Sequence, residues 1–236
     1  MSGRFGHPRV HYRLTDSTNA RARELALAGA PDGTVVTADE QSAGRGRQGR
    51  TWSAPAGMAL LMSAIVRDLT RRDALLPLAV PVAVAEACEE FAGTRCGIKW
   101  PNDIWIGGRK LSGILLEGRP QEGWAVIGVG LNVGTTRDEF PEELRETATS
   151  LAIESGSDPG VPIVLDALLE TLDRRLGDKP ASTLAAWRER DVLLGRRVRW
   201  NAGEGAAVGV DEDGSLLVDT ESGRVALDAG EVHLLR

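Results

Sequence analysis

At 236 residues the chain is long enough for one full domain with a smaller companion. Its 42% hydrophobic and 26% charged residues are ordinary for a folded soluble protein, which sets disorder aside, and 28 glycines suggest tight turns or ligand-cradling loops. A net charge of -6 excludes the global basic field that drives non-specific binding to DNA or anionic membranes, so any phosphate chemistry has to rest on local charge.

In chain order, the N-terminus MSGRFGHPRV lacks the apolar stretch of a secretory leader, and no later segment approaches the roughly 18 apolar residues of a membrane span. Asp16-Ser17-Thr18 supplies helix-capping residues before ARARELALAGA (20–30), a short helix that stops at Gly29 and Pro31. TVVTADE (34–40) reads as a strand, 41–57 as a polar glycine-rich loop, and MALLMSAIV (58–66) as a buried strand. The apolar pattern from Asp73 to Phe91 is a core helix. It contains Cys88; this residue and Cys96 stand among apolar neighbours as core filler, with no disulfide framework or metal-ligand spacing, which fits a reducing cytosol. Four strand-like runs follow, CGIKW (96–100), DIWIG (103–107), KLSGILLEG (110–118) and WAVIGVGLNV (124–133), with Gly107-Gly108 a hairpin signal.

Two helices, about 162–176 and 181–191, lead to Gly195, where the pattern changes to short strands, RRVRWN, AAVGVDE, SLLVDT, RVALD and EVHLL. These are divided by turns such as Asp213-Gly214 and Ser222-Gly223, at the spacing of a small barrel. The expected class is α+β, a mixed and largely antiparallel sheet over residues 1–193 plus a small β-barrel over 194–236. The histidines His7, His11 and His233 show no metal-ligand spacing.

Three constellations carry possible chemistry. Gly44-Arg45-Gly46-Arg47-Gln48-Gly49-Arg50-Thr51-Trp52 alternates glycines with arginines, which lets backbone N–H groups and guanidinium forks wrap an anion. The same loop also reads as a solvated basic turn or an RNA contact, and it lacks the lysine of a P-loop. Lys99-Trp100-Pro101-Asn102-Asp103 and Arg109-Lys110-Leu111-Ser112-Gly113-Ile114-Leu115-Leu116-Glu117 lie in one hairpin, where Asp103 and Lys110 can converge on a pocket, although strand lysines also serve simply to protect sheet edges. Ser17-Thr18-Asn19 and Gln41 offer uncharged donors and acceptors for a neutral ligand such as a urea or amide, or plain helix caps. Gly128-Val129-Gly130-Leu131-Asn132 is only a weak echo of a dinucleotide fingerprint.

Taken in order, these segments resemble the biotin protein ligases, whose pattern of DSTN, GRGRxGRxW, KWPND, RKL[AS]GIL and GxGxN is matched by Asp16 to Asn19, Gly44 to Trp52, Lys99 to Asp103, Arg109 to Leu115 and Gly128 to Asn132. The resemblance spans nearly the whole chain and implies a class II synthetase-like catalytic domain followed by an SH3-like domain. It implies that Ser17, Thr18, Asn19 and Gln41 bind the ureido ring of biotin while Gly44, Arg45, Gly46 and Arg47 close over its carboxylate. Lys110 would bridge that carboxylate and the α-phosphate of ATP, with Arg47 and Asp103 also catalytic. ATP would be held by Arg47, Arg50, Trp52, Lys99, Asn102, Lys110 and Asn132, and Mg2+ by Asp103. The product would be biotinyl-5'-AMP and the acceptor a lysine of a biotin carboxyl carrier protein of a biotin-dependent carboxylase, in the cytoplasm, without membrane or DNA. DSTN starts at residue 16, too early for the winged helix-turn-helix of the repressor-type members.

Two other functions fit parts of the pattern. A lipoate or octanoate ligase of the same fold would share the adenylation chemistry, but the GRGRxGR loop argues against it. A nucleic-acid-binding protein would use Arg45, Arg47 and Arg50, but net charge and the scarcity of phenylalanine and tyrosine disfavour it.

Overall fold

The computed structural model describes residues 4–67, 69, 76–228 and 230–235. The strands are β1 (Arg9–Thr15), β2 (Val35–Gln41), β3 (Ala59–Arg67), β4 (Gly97–Lys99), β5 (Asp103–Ile106), β6 (Arg109–Arg119) and β7 (Trp124–Asn132). They form one sheet in the order β1-β2-β3-β7-β6-β5-β4, parallel between β1 and β2 and antiparallel elsewhere. The helices are α1 (Thr18–Leu27), α2 (Leu76–Ala92), α3 (Leu151–Ser155), α4 (Val161–Leu176) and α5 (Pro180–Arg188). A second, all-antiparallel sheet contains β8 (Arg197–Trp200), β9 (Gly203–Val210), β10 (Leu216–Thr220), β11 (Gly223–Leu227) and β12 (His233–Leu234), in the order β11-β10-β9-β8-β12. The α+β class read from sequence is what the chain adopts.

Alternation along β7 fixes how the first sheet is covered. Ala125, Ile127, Val129 and Leu131 point into the main core, where α2 packs with α4 and α5 and buries most of its own side chains. The intervening residues point the other way, where α1 covers only part of the sheet, packing Ala22 and Ala26 against Val36, Ile65 and Val126. The main core runs on without a break into the second sheet through Trp187, Leu193, Val198, Leu216 and Val232. The indole N–H of Trp100 donates to the Gly214 carbonyl at 2.9 Å, tying the turn after β4 to the second sheet.

Two elements went unread in the sequence. Strand β1 is an edge strand whose Leu14 is 58% exposed, so its apolar alternation marks no buried face. Helix α3 is only five residues long, held by a Ser150 cap that accepts from the Ile153 N–H at 3.2 Å. The expected core helix from Asp73 is described from Leu76, residues 73–75 lying outside the described residues. Helix α1 starts at Thr18 rather than residue 20.

Candidate active site

The uncovered half of the α1 face is a hollow made by glycine. Register pairs Gly113 with Gly130 and Leu115 with Gly128, while β3 sets Ser63 opposite Gly128, so three glycines cluster on one face beside α1. A Cβ at Gly128 would run into the Asn19 amide, and one at Gly130 into the Trp52 ring; at Gly113 it would stand 3.1 Å from that ring. Glycine here permits close approach from above, by Asn19 at one end and Trp52 at the other.

Ser17 occupies the N-cap position of α1 in an extended conformation but makes no side-chain cap bond, so capping does not account for the hydroxyls of this segment. Thr18 turns instead to Gln41 at the end of β2: its N–H donates to Gln41 Oε1 at 2.7 Å, with its hydroxyl 3.2 Å from the same oxygen. The wholly buried Ser63 hydroxyl donates to Asn19 Oδ1 at 2.6 Å and lies 2.8 Å from Thr18 Oγ1. Thr18, Asn19 and Gln41 line a narrow cleft of about 50 Å³ that also reaches Arg45, Gly46, Trp52 and Lys110, with Ser63 buried behind them.

Lys110 reaches this face because of a β-bulge. Ile104 pairs with Ser112 but Trp105 with Lys110, leaving Leu111 as an extra residue. Strict alternation would place Lys110 and Gly113 on opposite faces; the extra residue brings them to the same one, with the Lys110 ammonium 3.3 Å from where a Gly113 Cβ would stand. Lys110 Nζ lies 2.7 Å from Asp103 Oδ1 and 5.7 Å from the centre of the Trp52 ring. Lys99, cross-strand from Asp103, sits over Trp105; burial lowers its pKa against the pull of Asp103 and Glu231.

The arginine loop folds back on itself. Arg45 bridges Thr51, the Gly46 N–H donates to the Arg50 carbonyl at 2.7 Å, and the Trp52 N–H to the Gly44 carbonyl at 3.0 Å. Gln48 at φ 55 and Gly49 at φ 74 make the left-handed turn. Arg47 is half-buried; burial lowers its pKa and the charge of Asp103 opposes that. Arg50 reaches Glu231, two residues before β12 of the second sheet, at 2.5 Å.

Beyond Trp52 lies a second cavity of about 550 Å³, lined by Arg50, Trp52, Trp105, Lys110, Asn132 and Phe140 among others. Trp52 and Lys110 line both this cavity and the narrow cleft, and the indole N–H of Trp52 is buried without an acceptor. A broader groove of about 890 Å³ runs outside the arginine loop toward Asp213 and Gly214. The structure thus gathers Ser17, Thr18, Asn19, Gln41, Arg45, Gly46, Trp52 and Lys110 around the cleft, with Gly44 packed against the Gln41 amide, and puts Arg50 and Asn132 on the larger cavity. Arg47, Lys99, Asn102 and Asp103 lie around a smaller recess with Glu231. The side-chain amides of Asn102 and Asn132 donate to the carbonyls of Ile114 and Thr149, at 2.7 and 2.9 Å. Unread in the sequence were Ser63 and Glu231, while Gly113, Glu117, Gly128 and Gly130 stood inside the motifs with no site role of their own. For the glycines the signal was Gly-x-Gly inside a strand opposite another strand glycine.

Comparison with known proteins identifies the family. Residues 11–133 match the biotin/lipoate A/B protein ligase family and 193–235 the biotin protein ligase C terminal domain. The chain is 35% identical to the bifunctional ligase/repressor BirA of Bacillus subtilis, over 98% of this chain and 75% of that protein. It is also 35% identical to the biotin--[acetyl-CoA-carboxylase] ligase of Mycobacterium tuberculosis, over 94% and 87%. The biotin protein ligase of Aquifex aeolicus, solved with biotin and ATP, superposes with a TM-score of 0.83 at 30% identity, covering 97% of this chain and 98% of that one. The chain belongs to the biotin/lipoate A/B protein ligase family and, within it, to the biotin protein ligases.

Proposed function

We propose that the protein is an ATP-dependent biotin ligase that makes biotinyl-5'-AMP and transfers the biotinyl group to a lysine of a biotin carboxyl carrier protein. One observation carries the reading: a narrow polar cleft and a larger cavity share a wall made of Trp52 and Lys110. A ligand whose uncharged polar head fills the cleft would bring its tail to that wall, where a nucleotide in the larger cavity would meet it. Thr18 and Gln41 suit a ureido head, whereas a dithiolane or alkyl chain would leave them unpaired.

In the first step a biotin carboxylate oxygen attacks the α-phosphorus in line, the bond to the bridging oxygen breaks, and pyrophosphate departs. The demand is for placed positive charge rather than a nucleophile. Lys110, paired with Asp103, exchanges that partner for the carboxylate and α-phosphate; Arg47 and Arg50 neutralise phosphate oxygens. Gly44 to Arg47 cover the carboxylate; Trp52 and Asn132 flank the nucleotide, with Lys99 and Asn102 supporting from the adjoining recess.

Mg2+ would arrive with ATP, since this ion is commonly held by one or two carboxylates plus substrate phosphates, and Asp103 supplies a carboxylate beside the phosphate path. Among the described residues no group of three or more His, Cys, Asp or Glu forms a protein cage of its own. Bound there, the ion would offset phosphate charge. In the second step the neutral carrier amine attacks the acyl carbon, the bond to the AMP phosphate oxygen breaks, AMP leaves and the amine's proton passes to solvent; Asp103 would orient the amine. Residues 1–193 would carry this chemistry, and 194–236 would steady the arginine loop through Glu231.

We place the protein in the cytoplasm, where its buried thiols Cys88 and Cys96 stay reduced; no described helix is long and apolar enough to cross a membrane. The test is exchange of labelled pyrophosphate into ATP by the purified chain. Exchange is expected with biotin and not without it. Its absence, or exchange supported by lipoate instead, overturns the reading.

A further inference from the structure

We infer that Glu117 is a positioning residue that fixes the direction of the hydrogen bonds through Asn19, Ser63 and Thr18, and so makes that wall of the cleft an acceptor for the N–H groups of a cyclic urea. The inference deepens the ligase reading and rests on it. Glu117 lies on the glycine face of β6, opposite Val126 and two residues along from Leu115. Its Oε2 accepts from Asn19 Nδ2 at 2.8 Å and its Oε1 stands 3.3 Å from Arg23 Nη1.

A carboxylate paired with a guanidinium can only accept, so Asn19 must turn its NH2 toward Glu117 and its oxygen toward Ser63. Asn19 Oδ1 carries no proton. The Ser63 hydroxyl, 2.6 Å away and wholly buried, therefore spends its single proton there. That proton is no longer available to Thr18. Thr18 gives its own to Gln41 Oε1 at 3.2 Å, which leaves the lone pairs of a hydroxyl that lines the cleft free to accept. Gln41 is set separately, because its oxygen takes the Thr18 N–H at 2.7 Å and leaves its NH2 as a donor. Thr18 therefore accepts and Gln41 donates, which complements the N–H and C=O of a urea.

Glutamine at 117 breaks the logic at its origin, since an amide presents either a donor or an acceptor. Asn19 can then flip and donate to Ser63, whose proton turns onto Thr18 and occupies a lone pair the ligand needs. Pyrophosphate exchange is measured with biotin and ATP varied in turn. For Glu117→Gln the biotin KM rises about tenfold, the size of one ligand hydrogen bond. The turnover at saturating biotin and the KM for ATP stay within about twofold. The double variant Asn19→Asp/Glu117→Gln puts an acceptor-only group next to Ser63 again and recovers most of the lost affinity, which a merely structural role for Glu117 does not predict. A biotin KM that ignores residue 117, a loss carried by turnover, or a double variant no better than the single one overturns the inference. A wild-type protein without biotin-dependent exchange is instead the failure of the ligase reading itself.

Discussion

Strand β7 presents two different surfaces from alternate residues. Toward α2 it offers Ala125, Ile127, Val129 and Leu131, all buried in one core, and burial of that kind stabilises by about 25 cal/mol per Å². Toward the cleft it offers Val126, Gly128, Gly130 and Asn132, two of which have no side chain to bury. A glycine inside a strand costs about 0.5 to 1 kcal/mol, so the cleft face gives up stability to leave room for a ligand. The helix side holds the backbone still, and the opposite side can then be hollow without collapsing.

This contrast can be broken first at Lys110. Removing its charge should slow adenylate formation by about 10³-fold, the scale of losing one preorganised charge contact to a transition state. Its side chain is 34% exposed, so the loss of the Asp103 pair should change stability by about 1 kcal/mol or less. Single-turnover formation of biotinyl-adenylate together with thermal unfolding reads both; a near-normal rate would make Lys110 an ordinary surface charge.

Neighbours on β7 sharpen the contrast further. Gly130→Ala drives a methyl into the Trp52 ring and should cut biotin-dependent exchange by about 10²-fold with modest loss of stability. Ile127→Ala should do the reverse. It leaves a hole in the main core at a wholly buried position, costing about 2 to 4 kcal/mol while the folded fraction keeps its kinetic constants. If both variants lost stability equally and activity equally, the division of labour between the faces would be wrong.

The two faces were not equally legible in the sequence. Apolar runs such as MALLMSAIV and the segment around α2 announced the core side, because hydrophobic burial follows local periodicity. Arg45, Gln41 and the DSTN segment were readable on the cleft side through motif resemblance and residue type. What stayed hidden depended on tertiary placement: Ser63 is one hydroxyl in an apolar strand, and Glu117 and Glu231 meet their partners only after folding. Lys110 was readable as a residue but not as a direction, since only the extra Leu111 turns it onto the glycine face.

Arg47→Gly should have a smaller effect on the first step, with exchange within about tenfold of wild type, because Lys110 remains. On the proposed reading it opens the loop over the carboxylate. The adenylate should then escape and biotinylate exposed lysines on an unrelated protein such as serum albumin, which a streptavidin blot detects. Tight retention by the variant would mean that the loop is no lid.

The smallest expected effect concerns an exception on the apolar side. Asp191 stands opposite Ile98, a core residue whose backbone hydrogen-bonds with those of Arg190 and Val192, and its carboxylate accepts from the Leu193 N–H at 2.8 Å while Oδ2 is buried without a partner. Burial raises its pKa, and the backbone N–H groups of Leu193 and Leu194 offset this only in part. An acid whose pKa is higher folded than unfolded binds its proton more tightly in the folded state. Its stabilising contribution is thus complete below the unfolded pKa, near 4, and disappears as pH rises through the folded value. Asp191→Asn keeps an oxygen for the two N–H groups and removes the charge. The variant should be more stable than wild type at pH 7, by less than about 1 kcal/mol, and the gain should shrink toward pH 4. Denaturant unfolding across that range decides it. A variant that is less stable at pH 7 would show that the charge on Asp191 is compensated, and that the apolar side of the sheet tolerates an ion better than its burial suggests.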